Sequence, residues 1–267
     1  MQPTEDHRRR TTVLVTGASG GIGADLCQLF ARDGYDIVLV ARNEGNLHRV
    51  ASELTSRHGI TTTVLVYDLA QATAPQDIYD DVQRRGITVD VLINNAGFGG
   101  HSAFVKGDPA EFLRMLQVNV VALTHLTRLF LPGMVARRSG RIMNVASTAA
   151  FLPGPFMAVY YASKAYVLSL SEALSEEVRG TGVTVTALCP GATTTNFQAR
   201  AGLGGARLFS RGLVMPSQHV ARIGYRGLMA GKPVVVTGFM NRLAALGPRI
   251  APRWLLLKVV RRLHEHV

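Results

Sequence analysis

Val13-Leu14-Val15-Thr16-Gly17-Ala18-Ser19-Gly20-Gly21-Ile22-Gly23 runs from an apolar triplet into a glycine-rich turn, and a helical pattern through Ala24, Leu26, Leu29 and Phe30 follows. The triplet reads as a buried parallel strand. Four glycines within residues 17–23 cost chain entropy and pack nothing, so the turn must let backbone approach something closely. Bare N–H groups at a helix start bind a dinucleotide pyrophosphate, and side chains there would obstruct it. A tight strand-to-helix turn also uses glycine, so the rest of the chain has to discriminate.

Downstream, strand and helix patterns alternate. Strands are expected at Thr11–Thr16, Ile37–Val40, Thr62–Val66, Val89–Ile93, Arg141–Val145, Val183–Leu188 and Val234–Val236. Between them lie helical patterns: one ending near Arg32, then Glu44–His58, Ala74–Arg85, Pro109–Leu131 with Pro132 as its stop, Tyr160–Gly180, and Ser217–Ala230 with Ser217 as N-cap. Neither a linker nor an internal repeat interrupts them. The order predicts an α/β fold, a doubly wound parallel seven-stranded sheet with helices on both faces. Residues 11–238 form that domain, 1–10 a polar tail and 239–267 a C-terminal extension. Ligands of such sheets bind beyond the carboxyl ends of the strands.

Composition narrows the class. The chain has 267 residues, 47% of them hydrophobic, enough for one large core. Arg8, Arg9 and Arg10 precede only the short run Val13–Val15, so no signal peptide is expected. No stretch is read as reaching the ~20 apolar residues of a spanning helix. The nearest, Leu116–Val135, carries Asn119, His125 and Arg128. Cys27 and Cys189 make neither a disulfide framework nor a metal site, and a reducing cytosol is the simplest compartment. The net charge of +11 is confined to Gln198–Val267, where ten Arg and two Lys face one acid, Glu265. Such a tail fits an anionic surface. Its few aromatics are poorly interleaved with the basic residues, so nucleic acid is not expected.

Several residues carry chemistry. After the second strand, where an NAD site wants a carboxylate, the chain has Ala41 and Arg42, which suits the 2′-phosphate of NADP. Asp68 can accept from an adenine amino group beside Leu69, or cap the next segment. Asn94-Asn95-Ala96-Gly97 lets backbone approach a flat ligand. Tyr160 and Lys164, four apart, share a helix face, and an ammonium near a phenol favours phenolate. Ser147, at the end of the fifth strand, can hold a carbonyl oxygen with Tyr160. Tyr161 and Thr148 are the respective rivals.

The set Thr16-Gly17-x-x-x-Gly21-x-Gly23, Asn94-Asn95-Ala96-Gly97, Asn119, Ser147, Tyr160-x-x-x-Lys164 and Pro190-Gly191-x-x-x-Thr195 resembles the short-chain dehydrogenase/reductase family, over about Thr11–Gly238. The resemblance implies a single Rossmann-type domain and an NADP(H)-dependent oxidoreductase interconverting a ketone or aldehyde and an alcohol. Tyr160 would be acid and base, Lys164 would lower its pKa, Ser147 would orient the substrate oxygen, and Asn119 would serve a proton relay. Gly17, Ser19, Gly20, Gly21, Ile22, Gly23, Arg42, Asp68, Leu69, Asn95, Ala96 and Gly97 would contact the cofactor. Tyr160, Lys164, Pro190, Gly191, Thr193 and Thr195 would complete that set. A non-catalytic NADPH-binding sensor or scaffold is the alternative. Residues 197–213 stand where the family has a substrate lid, and apolar residues there and near Ser147 suit a lipophilic carbonyl. The long helices would pair subunits in a homodimer or homotetramer.

Residues 253–266 read as an amphipathic helix, with Gly247-Pro248 and Pro252 breaking the chain before it. Leu255, Leu256, Val259, Val260, Leu263 and Val267 fall on one side. Arg253, Lys258, Arg261, Arg262 and Glu265 fall on the other, with Trp254 among them and Leu257 at the edge. The helix can cap its own domain, a partner subunit or an anionic membrane surface.

Overall fold

The structure is a computed structural model describing residues 10–194 and 214–264. In chain order the elements are β1 Thr12–Thr16, α1 Gly21–Arg32, β2 Asp36–Ala41, α2 Glu44–His58, β3 Thr62–Val66, α3 Ala74–Arg84 and β4 Val91–Asn94. Then come α4 Pro109–Ala136, β5 Gly140–Val145, α5 Ala158–Glu177, β6 Val183–Cys189, and the short strands β7 Thr193–Thr194 and β8 Met215–Pro216. The last elements are α6 Ser217–Met229, β9 Val234–Val236, α7 Phe239–Ile250 and α8 Arg253–His264.

Seven parallel strands form one sheet in the order β3-β2-β1-β4-β5-β6-β9. Side chains alternate across each strand, and this sorts the core into two layers. Val13 and Val15 of β1 join Leu26, Phe30, Leu39 and Leu47 under α1, α2 and α6. Leu14 points the other way, with Val38, Ile78, Leu92 and Leu126 under α3 and α4. Each fully buried Leu contributes roughly 1.5–3 kcal/mol of transfer free energy. Chain order reverses between β1 and β4, so their carboxyl ends part and open a crevice.

Three of the boundaries that differ from the sequence reading have a local reason. β4 begins at Val91 because the Asp90 carboxylate accepts from the Thr12 N–H (2.9 Å). Pro132 lies inside α4 because burial of Phe130 and Met134 on either side holds the helix through it. With Pro132 included, α4 reaches the length and apolar character of a membrane-spanning helix, contrary to expectation. Its buried residues, among them Ala122, Leu126 and Met134, make it a core helix. Ser217 is the first residue of α6 rather than its cap; its hydroxyl bonds to Asp25.

The C-terminal region differs most. α7 was not foreseen: Gly247 and Pro248 sit within it, and the break falls at Ala251-Pro252. The apolar side of α8 divides. Val260 packs against the domain, joined by the buried His264 of the next turn, whereas Leu255 and Val259 stay exposed. The expected lid, 197–213, and Thr195 lie outside the described residues.

Candidate active site

A cleft of about 650 Å³ runs along the carboxyl ends of the strands. The glycine turn forms one end. Gly17 (φ 67°) and Gly21 (φ 55°) take left-handed backbone, which side chains disfavour. A Cβ on Gly17 would lie 2.8 Å from Asn95 Nδ2, and one on Gly23 would lie 2.4 Å from the Gly17 carbonyl oxygen. Gly23 therefore serves close packing within the turn, while Ser19, Gly20, Gly21 and Ile22 face the cleft. Around Gly20 there is open space, as a cradle for an extended anion requires.

The Asn95 side chain locks this turn to β4, donating to the Thr16 (2.9 Å) and Gly17 (3.3 Å) carbonyls. Thr16 Oγ1 accepts from the N–H groups of Asn95 and Ala96, both at 3.0 Å. Arg42 stands at the rim after β2, its Nη1 3.7 Å from the Asp68 carboxylate, and both side chains are partly exposed. The other Asp68 oxygen accepts from the Ala70 N–H (3.0 Å), which shapes the turn after β3 and places Leu69 on the cleft wall.

At the far end lie Ser147, Tyr160 and Lys164. Ser147 caps a single 3₁₀ turn, Thr148–Phe151, by accepting from the Ala149 N–H (3.1 Å), and it hydrogen-bonds Tyr160. Lys164 lies one turn beyond Tyr160 on α5 and donates to the Val145 carbonyl at 2.8 Å. The rival Tyr161 shares its hydroxyl with His264 Nε2 (3.3 Å) instead. Thr148 lines the cleft through a turn held by its N–H to the Pro190 carbonyl (2.8 Å). Pro190, Gly191 and Thr193 close the floor, with Thr193 Oγ1 donating to the Gly191 carbonyl (2.9 Å).

Burial dominates the electrostatics of this pair. Burial pushes the Tyr160 hydroxyl up to about 12, and the Ser147 hydrogen bond only partly offsets this. Burial also pulls the Lys164 amine down to about 8. Burial thus opposes ionisation of both side chains, and the Lys164 donor is aimed at the Val145 carbonyl.

Asn119 sits in a π-helical turn of α4, Gln117–Ala122. Such turns displace one backbone register and recur at functional sites. Its amide donates to the Phe98 carbonyl (2.9 Å) and Ser163 Oγ (3.1 Å) and accepts from the Phe98 N–H (3.1 Å). A Cβ on Gly97 would meet Asn119 Oδ1 at 3.0 Å and Lys164 Nζ at 3.3 Å, so this glycine keeps the two groups adjacent. Asn119 is fully buried and lies behind the cleft wall, not on it.

Sequence reasoning missed the layer beneath. Asn94 Nδ2 donates to Thr127 Oγ1 and Asn144 Oδ1, both at 2.9 Å. Asn144 Nδ2 donates to Ser171 Oγ (3.0 Å). The register of β4 on β5 sets Asn94 opposite Asn144, and the chain of bonds ties both strands to α4 and α5. An asparagine inside the buried strand Arg141–Val145 was the available signal. His264 was also missed, for want of any sequence signal linking the C-terminus to this site.

Comparisons with known proteins agree with this fold. A family model described as short chain dehydrogenase matches residues 11–203. A very-long-chain 3-oxoacyl-CoA reductase of Anas platyrhynchos is 33% identical over 183 residues, 66% of this chain and 58% of that protein. The ketoacyl reductase HetN of Nostoc sp. is 34% identical over 180 residues, 67% of this chain and 62% of that protein. The chain thus spans little more than half the length of these curated relatives. A short-chain dehydrogenase from Sphingobium yanoikuyae, solved in complex with NADPH, superposes with a TM-score of 0.81 at 32% identity, covering 90% of this chain and 93% of that one. A bulky-bulky ketone specific alcohol dehydrogenase from Comamonas testosteroni gives 0.75 at 30% identity, covering 94% and 92%. The glycine turn, the Ser147–Tyr160–Lys164 end of the cleft and the family model all fall on the same stretch of sequence, and the chain belongs to the short-chain dehydrogenase family.

Proposed function

We propose that the protein is an NADP(H)-dependent oxidoreductase that reduces a lipophilic ketone or aldehyde to the alcohol. One observation carries this reading: a buried tyrosine, hydrogen-bonded to Ser147 and one turn from a buried lysine, ends a cleft that begins at a glycine anion cradle. The cleft fits a dinucleotide, because Gly20 leaves open space where a pyrophosphate would lie, and Gly97 and Gly191 line it while packing closely against Asn119 and Asn241 behind it. Arg42, with no acid at Ala41, supports NADP over NAD.

When bound, NADPH supplies the hydride to the carbonyl carbon. Ser147 Oγ donates to the substrate oxygen and fixes it against Tyr160. Tyr160, held protonated at neutral pH by burial, gives its proton to that oxygen as negative charge develops there. The Lys164 ammonium, with about 8 as its pKa, stabilises the phenolate left behind. Asn119, packed beside Lys164 across Gly97, would support the return of a proton. In oxidation the same groups act in reverse.

The apolar wall by Tyr160, with Ala149, Met157, Phe98 and Val118, supports a lipophilic substrate. The names of the relatives narrow the proposal to a 3-oxoacyl thioester or a bulky ketone. Exposed Val121 on α4 and Tyr166 on α5 support pairing of subunits through these helices. The test is consumption of NADPH and of NADH with a panel of 3-oxoacyl thioesters, bulky ketones and short ketones. The reading expects turnover with NADPH on the lipophilic members. NADPH binding without turnover on any carbonyl would leave the sensor or scaffold alternative.

A further inference from the structure

The C-terminal helices α7 and α8 carry an outward surface that the domain does not use. On α7, Phe239, Met240, Leu243 and Leu246 follow helical spacing along one stripe. All four are exposed, Phe239 by 71% and Leu243 by 48%. On α8, Trp254, Leu255 and Val259 are exposed as well, Trp254 by 61%. The Lys258 ammonium lies 5.2 Å over the Trp254 ring, an amphipathic pair whose polar end stays in water while the ring is free to enter an apolar phase. Residues 239–264 contain six basic residues and no acid.

We propose that α7 and α8 together form a docking face for an anionic lipid bilayer surface, apolar side chains inserted and Arg/Lys groups at the headgroups. Charge selects this occupant. The same face of a second copy would set the exposed Arg242, Arg253, Lys258 and Arg262 against the same four charges, which disfavours a symmetric contact. A neutral apolar protein surface would leave those charges uncompensated, whereas anionic headgroups match them.

The inner side of α8 gives the face a consequence for the cleft. Val260 packs with Met157, Tyr160 and Tyr161. His264 Nδ1 donates to the Pro155 carbonyl (2.9 Å), and the Arg261 guanidinium lies 6.0 Å over the Phe156 ring. Docking through the outer side therefore holds the Tyr160 end of the cleft next to the bilayer. Only this last step rests on the proposed reduction of a lipophilic carbonyl.

Trp254 is the only tryptophan, so its emission reports on this face alone. The full chain is titrated with phosphatidylcholine vesicles, with and without phosphatidylglycerol, and pelleting with the vesicles is measured in parallel. We expect a blue shift and co-pelleting with anionic vesicles, both reversed by salt. Arg253→Gln with Arg262→Gln should weaken binding by roughly 25-fold, about five-fold per charge. Leu243→Glu should abolish it while leaving thermal unfolding unchanged, since that side chain faces out. No shift with anionic vesicles, an equal shift with neutral ones, or loss of Trp254 exposure through lipid-free self-association would each overturn the proposal. None of these readouts depends on catalysis, so an inactive but lipid-binding protein would refute the reductase reading alone.

Discussion

Lys164 is buried, with its amine spent on the Val145 carbonyl, and no acid lies within one helical turn of it. The fold lowers its pKa from 10.5 to about 8, so the charged form is disfavoured relative to the unfolded chain. The stability sign follows from that depression. The contribution is complete above the unfolded value of 10.5 and is lost as pH falls through about 8, so the charge destabilises the protein at neutral pH. Lys164→Met should accordingly stabilise the protein at pH 7 by a net of about 1–3 kcal/mol after loss of the Val145 hydrogen bond, seen as a higher melting temperature. The gain should shrink as pH approaches 10.5; a variant less stable than the wild type at pH 7 contradicts this account. Arg42 has the opposite character, being a rim residue whose only charged neighbour is Asp68 among the described residues. Arg42→Ala should cost NADPH binding on the order of 1.5–3 kcal/mol and leave NADH nearly untouched. Titration of both cofactors checks it, and equal losses would remove Arg42 from the 2′-phosphate.

Among the elements, α8 is the one whose attachment can be tested separately. Its inner contacts are Val260 and His264, and His264 is bracketed by Pro155, Tyr161 and His101, with Arg261 on its own helix. Because Nδ1 donates to Pro155, the neutral ring accepts from Tyr161 at Nε2. Burial lowers the His264 pKa, so its neutral form stabilises the docked helix. That contribution is full above the unfolded value near 6.5 and declines as pH falls below it. Hydrogen-exchange protection of residues 253–264 should drop between pH 8 and about pH 5.5. The drop should be absent in His264→Gln. Equal protection at both pH values would show that His264 does not hold α8. The division of this helix's apolar side was not legible in the sequence. A helical projection shows which side is apolar, but not which third of it meets the Met157–Tyr161 segment. The glycine turn and the strand of Val13–Val15 were legible because backbone geometry and local burial dictate them. The Asn94–Asn144 pair was not, because it depends on the register between two strands fifty residues apart.

The whole molecule combines a sheet whose crevice is set by topology with a basic C-terminal pair of helices fastened beside the Tyr160 end of that crevice. In the proposed reaction Tyr160 delivers the proton during hydride transfer, with Ser147 and Lys164 serving it. Removing one oxygen atom tests this most directly, because Tyr160→Phe keeps the ring that packs with Met157 and Val260 while deleting the acid. The measurement is the turnover of NADPH with a ketone that the wild type reduces, alongside NADPH affinity. The rate should fall by roughly 10²–10⁴-fold with affinity for NADPH retained. A variant that keeps its rate within about tenfold of the wild type would contradict it and shift the proton donor elsewhere, with Tyr161 the first candidate.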